Sequence, residues 1–219
     1  MTCSFQVFEK SKLQHQHEMP DVKPPESYPE KLSAKGVRNI FNFDEKDLTV
    51  SKEGEIQAEC RFIGNPISGA SHKDINDHEL PPYVLWWYKA KGDLSNVSNF
   101  LHQCAVAYHS DYQLVFTSLL PHKVGSKQES EILPAMVSLD HCVWFHGPVR
   151  GDEWLLYEMQ SHRASCNRAL ITGKLYNTDG DLVVSVVQEG FIKQAQTMIP
   201  HDQPKYIAYY PPRLSTKLR

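Results

Sequence analysis

Three polar side chains stand where the sequence pattern calls for apolar ones. In NVSNFLHQCAVAYHSDYQLVF, residues 96–116, Val97, Phe100, Leu101, Cys104, Ala105 and Tyr108 recur at three- and four-residue steps. That spacing predicts one apolar face of an amphipathic helix, and the next residue on the stripe is Asp111. In LVVSVVQEG, Leu182, Val184, Val186 and Gln188 share one strand face by alternation. Three aliphatics are followed there by an amide. In MVSLDHCVWF, Ser138 shares a face with Asp140, opposite Val137, Leu139 and Val143. Asp is depleted in strands, yet Asp140 falls in the middle of this one.

A carboxylate, a hydroxyl and a side-chain amide form a set that can activate water. The carboxylate takes a proton from the water. The amide and hydroxyl orient that water or polarise a carbonyl. A buried charge is costly without partners, so Asp111 either sits past the helix end in solvent or is held for use. In the plain alternative, Asp111 caps the helix, Gln188 bonds a neighbouring backbone group and Ser138 is a small core residue.

The elements that must position these residues follow from the rest of the chain. Residues 7–37 are polar and hold Pro20, Pro24, Pro25 and Pro29, which reads as a linker or loosely packed arm. So little precedes it that a further upstream segment is expected. From about residue 38 the composition turns globular. IFNFDEKDLTV, EIQAECRFIG and YVLWWYKAKG are strand-like, and NPISGASHKDINDHELPP is a polar loop. Ser95 is the expected N-cap of the helix. The helix, or a second short one, continues through LVFTSLL until Pro121. AMVSLDHCVWF, EWLLYEMQS, RALITGKLY and DLVVSVVQEGFI follow as four strands, the last two joined at NTDG, residues 177–180. Two strands, one long helix and a run of strands predict an α+β domain, with the helix packed on an antiparallel sheet.

Composition narrows the function. The chain has 219 residues, 41% hydrophobic and 22% charged, with a net charge of -3, so no nucleic-acid footprint is expected. No apolar run reaches the roughly 20 residues that span a bilayer. Five cysteines, an odd count without CxxC spacing, fit a reduced intracellular protein. The eleven histidines show no convincing ligand spacing, so no metal is expected. There is no G-x-S-x-G elbow and no G-x-G-x-x-G or G-K-[ST] loop.

AYHSDYQLVFTSLLPH, MVSLDHCVWFHGPVRGDEWLLYEMQS and GDLVVSVVQEGFIK resemble the acyl-CoA thioesterase II family, with its bacterial TesB-type and peroxisomal members. The likeness covers roughly residues 38–193. It implies a hotdog fold, an antiparallel sheet wrapped around one long helix, here the C-terminal half of a double hotdog. Residues 1–37 would be a remnant of the first hotdog plus linker, 38–193 the thioesterase domain and 194–219 a polar tail. The implied activity is hydrolysis of fatty acyl-CoA to free acid and CoA, without metal, cofactor or covalent acyl-enzyme. The family's catalytic set carries over to Asp111 of YHSD, Ser138 of SLDH and Gln188 of VQEG.

Other residues of the shared motifs are assigned plainer roles. Asp140 and His141 are expected to make strand-edge hydrogen bonds, and Trp144 and Phe145 to be core. Arg150 is a candidate for a CoA phosphate, or simply an exposed arginine at a turn. A hydratase dyad of Asp140 and His146 is disfavoured, because six residues of strand span roughly 20 Å. With most of a first hotdog absent, the expected partners are acyl-CoA and either a second copy of the chain or a full-length homologue. The alternative function is a weak or inactive hotdog serving binding or dimerisation. The resemblance favours the peroxisome. The end Lys217-Leu218-Arg219, which is not Ser-Lys-Leu, favours the cytoplasm instead.

Overall fold

A computed structural model of the chain describes residues 12–28, 58–64, 80–122 and 135–193. Seven strands make one antiparallel sheet: β1 Ala58–Gly64, β2 Tyr83–Ala90, β3 Ala135–Ser138, β4 Cys142–Phe145, β5 Leu155–Ser165, β6 Arg168–Tyr176 and β7 Leu182–Lys193. The order across the sheet is β1-β2-β5-β6-β7-β3, with β4 also on β7. Among the described residues, helix α1 spans Asn99–Ser110, followed by a 3-10 helix over Val115–His122. The segment IFNFDEKDLTV, the polar loop 65–79 and the tail 194–219 lie outside the described residues.

Both faces of the central strands are covered, as the near-continuous apolar run of β2 requires. On the inner face Val84, Trp86, Tyr88, Leu155, Met159, Ile171, Leu175, Val184 and Val186 pack with Val106 of α1 and Leu114 and Leu120 of the following turn. The outer face holds Tyr83, Leu85, Trp87, Leu156 and Tyr176. Met19, Val22 and Tyr28 of the N-terminal arm pack against that face. Trp87 Nε1–H donates to the Lys23 carbonyl at 3.0 Å, and Arg61 donates to the Tyr28 carbonyl at 2.8 Å. Residues 19–28 therefore lie against the sheet, while 12–18 are exposed, with Gln16 bonded to Gly180 and Leu182.

Helix α1 corrects the expected orientation. Its buried residues are His102, Val106, His109 and Ser110, while Phe100, Leu101 and Tyr108 are 63%, 48% and 74% exposed. The stripe read as core-facing looks outward. Periodicity tells which residues share a face but not which surface that face meets. The imidazoles tolerate burial because they are bonded: His102 Nδ1 accepts from the Gly151 N–H at 3.2 Å, and His109 Nδ1–H donates to the Ala105 carbonyl at 2.8 Å. The N-cap is Ser98, not Ser95, which instead bonds Asp93 through its own N–H and hydroxyl.

Two further departures come from β-bulges. AMVSLDHCVWF is not one strand. Ser138 pairs with Gly190 and Cys142 with Val187, so four steps on one side meet three on the other, and Asp140 lies in the break. At the start of β7, Tyr176 pairs with Leu182 but Leu175 with Val184. The extra residue turns Val183 inward and sends Leu182 to the outer cluster. Leu182 thus does not share the face of Val184, Val186 and Gln188.

Gly190 lets the 3-10 helix sit close on β7. A Cβ there would lie 2.9 Å from Val115 Cγ1, and Val115 is stiff at χ1. Gly190→Ala should destabilise by about 1–3 kcal/mol, a fall in Tm of roughly 2–12 °C. Thermal melts check this, and Val115→Ala in the same background should restore part of the loss.

Candidate active site

Asp111 is the C-cap of α1, and β5 fixes where that cap lies. The Tyr157 hydroxyl donates to the Ser110 carbonyl at 2.5 Å. Its ring crosses over Gly173 of β6, where any Cβ would collide with it. Burial first, and the nearby Asp111 charge second, push the Tyr157 phenol well above its usual range, so it remains a protonated donor. After Asp111 the chain turns through Gln113, a non-glycine residue at φ 66°. This strained backbone stands beside the candidate site.

The structure brings Asp111, Ser138 and Gln188 together. Gln188 is fully buried at 0% exposure, and its Nε2 donates to Asp111 Oδ1 at 2.6 Å and to Ser138 Oγ at 2.7 Å. An amide nitrogen has two hydrogens, and both are used. Gln188 therefore organises the other two and has no donor left for a ligand. Because Ser138 Oγ accepts from Gln188, its own hydroxyl proton is free to donate outward. The Asp111 side chain is 58% exposed, which leaves it open to water on the side away from Gln188.

The loop between β3 and β4 is clamped to β7. Leu139 N–H donates to the Glu189 carbonyl at 2.8 Å, and Glu189 N–H donates to Asp140 Oδ1 at 2.8 Å. Asp140 thus makes the strand-edge bonds expected of it, one residue from Gln188 in the ladder. His141 comes closer to Asp111 than expected. Its Nε2 lies 2.8 Å from Ser110 Oγ and its Nδ1 4.0 Å from Asp111 Oδ1.

Other sequence candidates fall elsewhere. Arg150 pairs with Asp152 at 2.6 Å and Glu153 at 3.1 Å. It lines a cleft with Val97, Asn99 and His102, at the opposite end of a helix that spans about 18 Å, so it does not join the Asp111 cluster. Trp144 is 50% exposed and is not core, because its strand presents it outward; Phe145 packs on the inner cluster. His146 bonds Ser185 at 2.8 Å. Its backbone pairs with Val183 while Asp140 pairs with Glu189, six residues of β7 apart, so no Asp140–His146 dyad forms. Among the described residues no group of three His, Cys, Asp or Glu side chains could hold a metal. Cys60, Cys104, Cys142 and Cys166 are free thiols.

An antiparallel sheet curled around one helix is the hotdog arrangement, and solved hotdog structures align with this chain. The acyl-CoA thioesterase family model matches residues 65–191, and the chain belongs to that family. Acyl-coenzyme A thioesterase 8 of Rattus norvegicus is 37% identical over 197 residues, covering 87% of this chain and 58% of that protein. Peroxisomal acyl-coenzyme A thioester hydrolase 1 of Saccharomyces cerevisiae is 32% identical over 89 residues, 40% of this chain and 24% of that one. The structure of an acyl-CoA thioesterase II TesB2 from Mycobacterium marinum superposes with a TM-score of 0.60 at 27% identity, covering 85% of this chain and 59% of its own. The chain spans 58% of the length of its rat relative.

Proposed function

We propose that this chain hydrolyses fatty acyl-CoA to free acid and CoA through water activated by Asp111. The supporting observation is that buried Gln188 donates both amide hydrogens inward, to Asp111 and Ser138. That arrangement leaves a carboxylate to take the water's proton and a hydroxyl to donate to the thioester oxygen as it gains charge. The water oxygen bonds the carbonyl carbon, the C–S bond breaks, and CoA leaves as a thiolate that is then protonated. The test is release of CoA thiol by the purified chain over a range of acyl lengths. Turnover supports the reading; a folded chain that binds acyl-CoA without releasing thiol contradicts it.

The exposed stripe of Phe100, Leu101 and Tyr108 on α1 favours a second role, dimerisation. Large apolar side chains grouped on one helix face mark an interface. A second copy of this chain is the occupant we assign to it. Sedimentation equilibrium should give twice the chain's 25.1 kDa, and Phe100→Asp with Tyr108→Asp should return the monomer. A wild-type monomer at micromolar concentration rules this pairing out. If the dimer forms and no thiol is released, the chain is a dimerisation module rather than an enzyme. The peroxisome, named in the yeast relative, is the compartment assigned; imaging of the full chain against a peroxisomal marker tests it.

A further inference from the structure

His141 holds an unused acceptor against Asp111. Ser110 Oγ lies 2.8 Å from the Ala107 carbonyl and 2.8 Å from His141 Nε2. A serine hydroxyl has one hydrogen, and the carbonyl can only accept, so that hydrogen goes to Ala107. Ser110 Oγ must then accept from His141, which places the ring proton on Nε2. The other nitrogen, Nδ1, is left with a lone pair. It is buried and has no hydrogen-bond partner among the described residues. Asp111 Oδ1 lies 4.0 Å from it.

Two acceptors facing each other with no hydrogen between them are unfavourable. One proton satisfies both, and hydrolysis supplies one. Resting on the thioesterase reading, we propose that His141 is a positioning residue for Asp111, its Nδ1 accepting a hydrogen bond from the carboxyl O–H that forms when Asp111 takes the proton of the attacking water. The 58% exposed Asp111 side chain needs a shift of about 1 Å to bring a carboxyl O–H within hydrogen-bond reach of Nδ1. The water oxygen bonds the thioester carbon as its proton passes to Asp111. The carboxyl then donates to Nδ1, and the C–S bond breaks with its electron pair leaving on sulfur. Asp111 then gives the proton to the thiolate or to solvent, which restores the resting pair.

Two substitutions separate this role from a brace for Ser110. His141→Asn puts an amide oxygen near the place of Nδ1 and loses the donor to Ser110. His141→Gln keeps a donor near Nε2 and has no acceptor at Nδ1. Loss of the Nδ1 acceptor should lower kcat by about 100-fold in His141→Gln, with KM within about twofold, while His141→Asn stays within about tenfold of wild type. The reverse order, or an equal loss in both, overturns the proposal. Asp111→Asn run beside them separates the two claims: if it keeps wild-type turnover, the reading that Asp111 activates the water fails, whatever His141 does. A readout independent of turnover is the ring tautomer of His141 in the full chain, from long-range 1H–15N NMR. The Nε2–H form is expected, and the Nδ1–H form overturns the proposal.

Discussion

Asp111→Asn is expected to lower acyl-CoA turnover by about 10³-fold while leaving binding and fold intact. The amide is nearly isosteric with the carboxylate, but it cannot accept a proton from water. Half of the Asp111 side chain is in solvent, so its charge contributes little to stability. The amide oxygen can still accept from Gln188, which keeps the 2.6 Å contact. A thiol-release assay gives kcat, calorimetry with a non-hydrolysable acyl-CoA thioether gives binding, and a thermal melt reports on the fold. Lost turnover with retained binding separates chemistry from recognition. Loss of binding as well would mean that Asp111 is there to hold the ligand.

The second large effect is expected at Gln188. Gln188→Leu conserves approximate volume and removes both donors at once, leaving Asp111 and Ser138 without the group that holds them together. Removing one preorganised donor typically costs about 10²–10³ in kcat, and a loss at the upper end is expected because two bonds go. Stability should change little. The substitution also removes Gln188 Oε1, which is buried without a partner among the described residues, and the two orphaned groups are exposed to water. Gln188→Glu is expected to behave differently. It would bury a second carboxylate against Asp111, and like charges at that distance disfavour ionisation of both. Comparing kcat and Tm for the two variants checks the assignment. Equal destabilisation in both would make Gln188 a core residue and nothing more.

The cluster of Asp111, Ser138 and Gln188 was legible in the sequence because its members break a pattern. Gln188 ends an aliphatic alternation on β7, and such a residue has few explanations other than a specific partner. Asp111 was singled out because it followed an apolar stripe. That stripe faces solvent, so the pattern led to the residue that meets Gln188 by way of the wrong face. What fixes the orientation of α1 is a set of tertiary hydrogen bonds, His102 to Gly151 and Tyr157 to Ser110, which no local periodicity contains. The register of β3 and β4 was hidden for a related reason. A bulge adds one residue without changing composition, and Asp140 in an apparent strand was its only visible sign. Gly173 in RALITGKLY marks a close approach, yet nothing local says that Tyr157 is the ring crossing it. His141 was set aside as a strand-edge residue because its relation to Asp111 depends on that same break.

The claim most in need of a direct test is that water, held by Asp111, attacks the thioester without an acyl-enzyme. A single turnover in 18O-labelled water, with the chain in excess over acyl-CoA, reads this out by mass spectrometry of the released acid. The account predicts one labelled oxygen in the acid from the first turnover and none in the protein. Unlabelled acid in that turnover, with the label appearing on a peptide containing Asp111, would show that the carboxylate itself attacks and would contradict it.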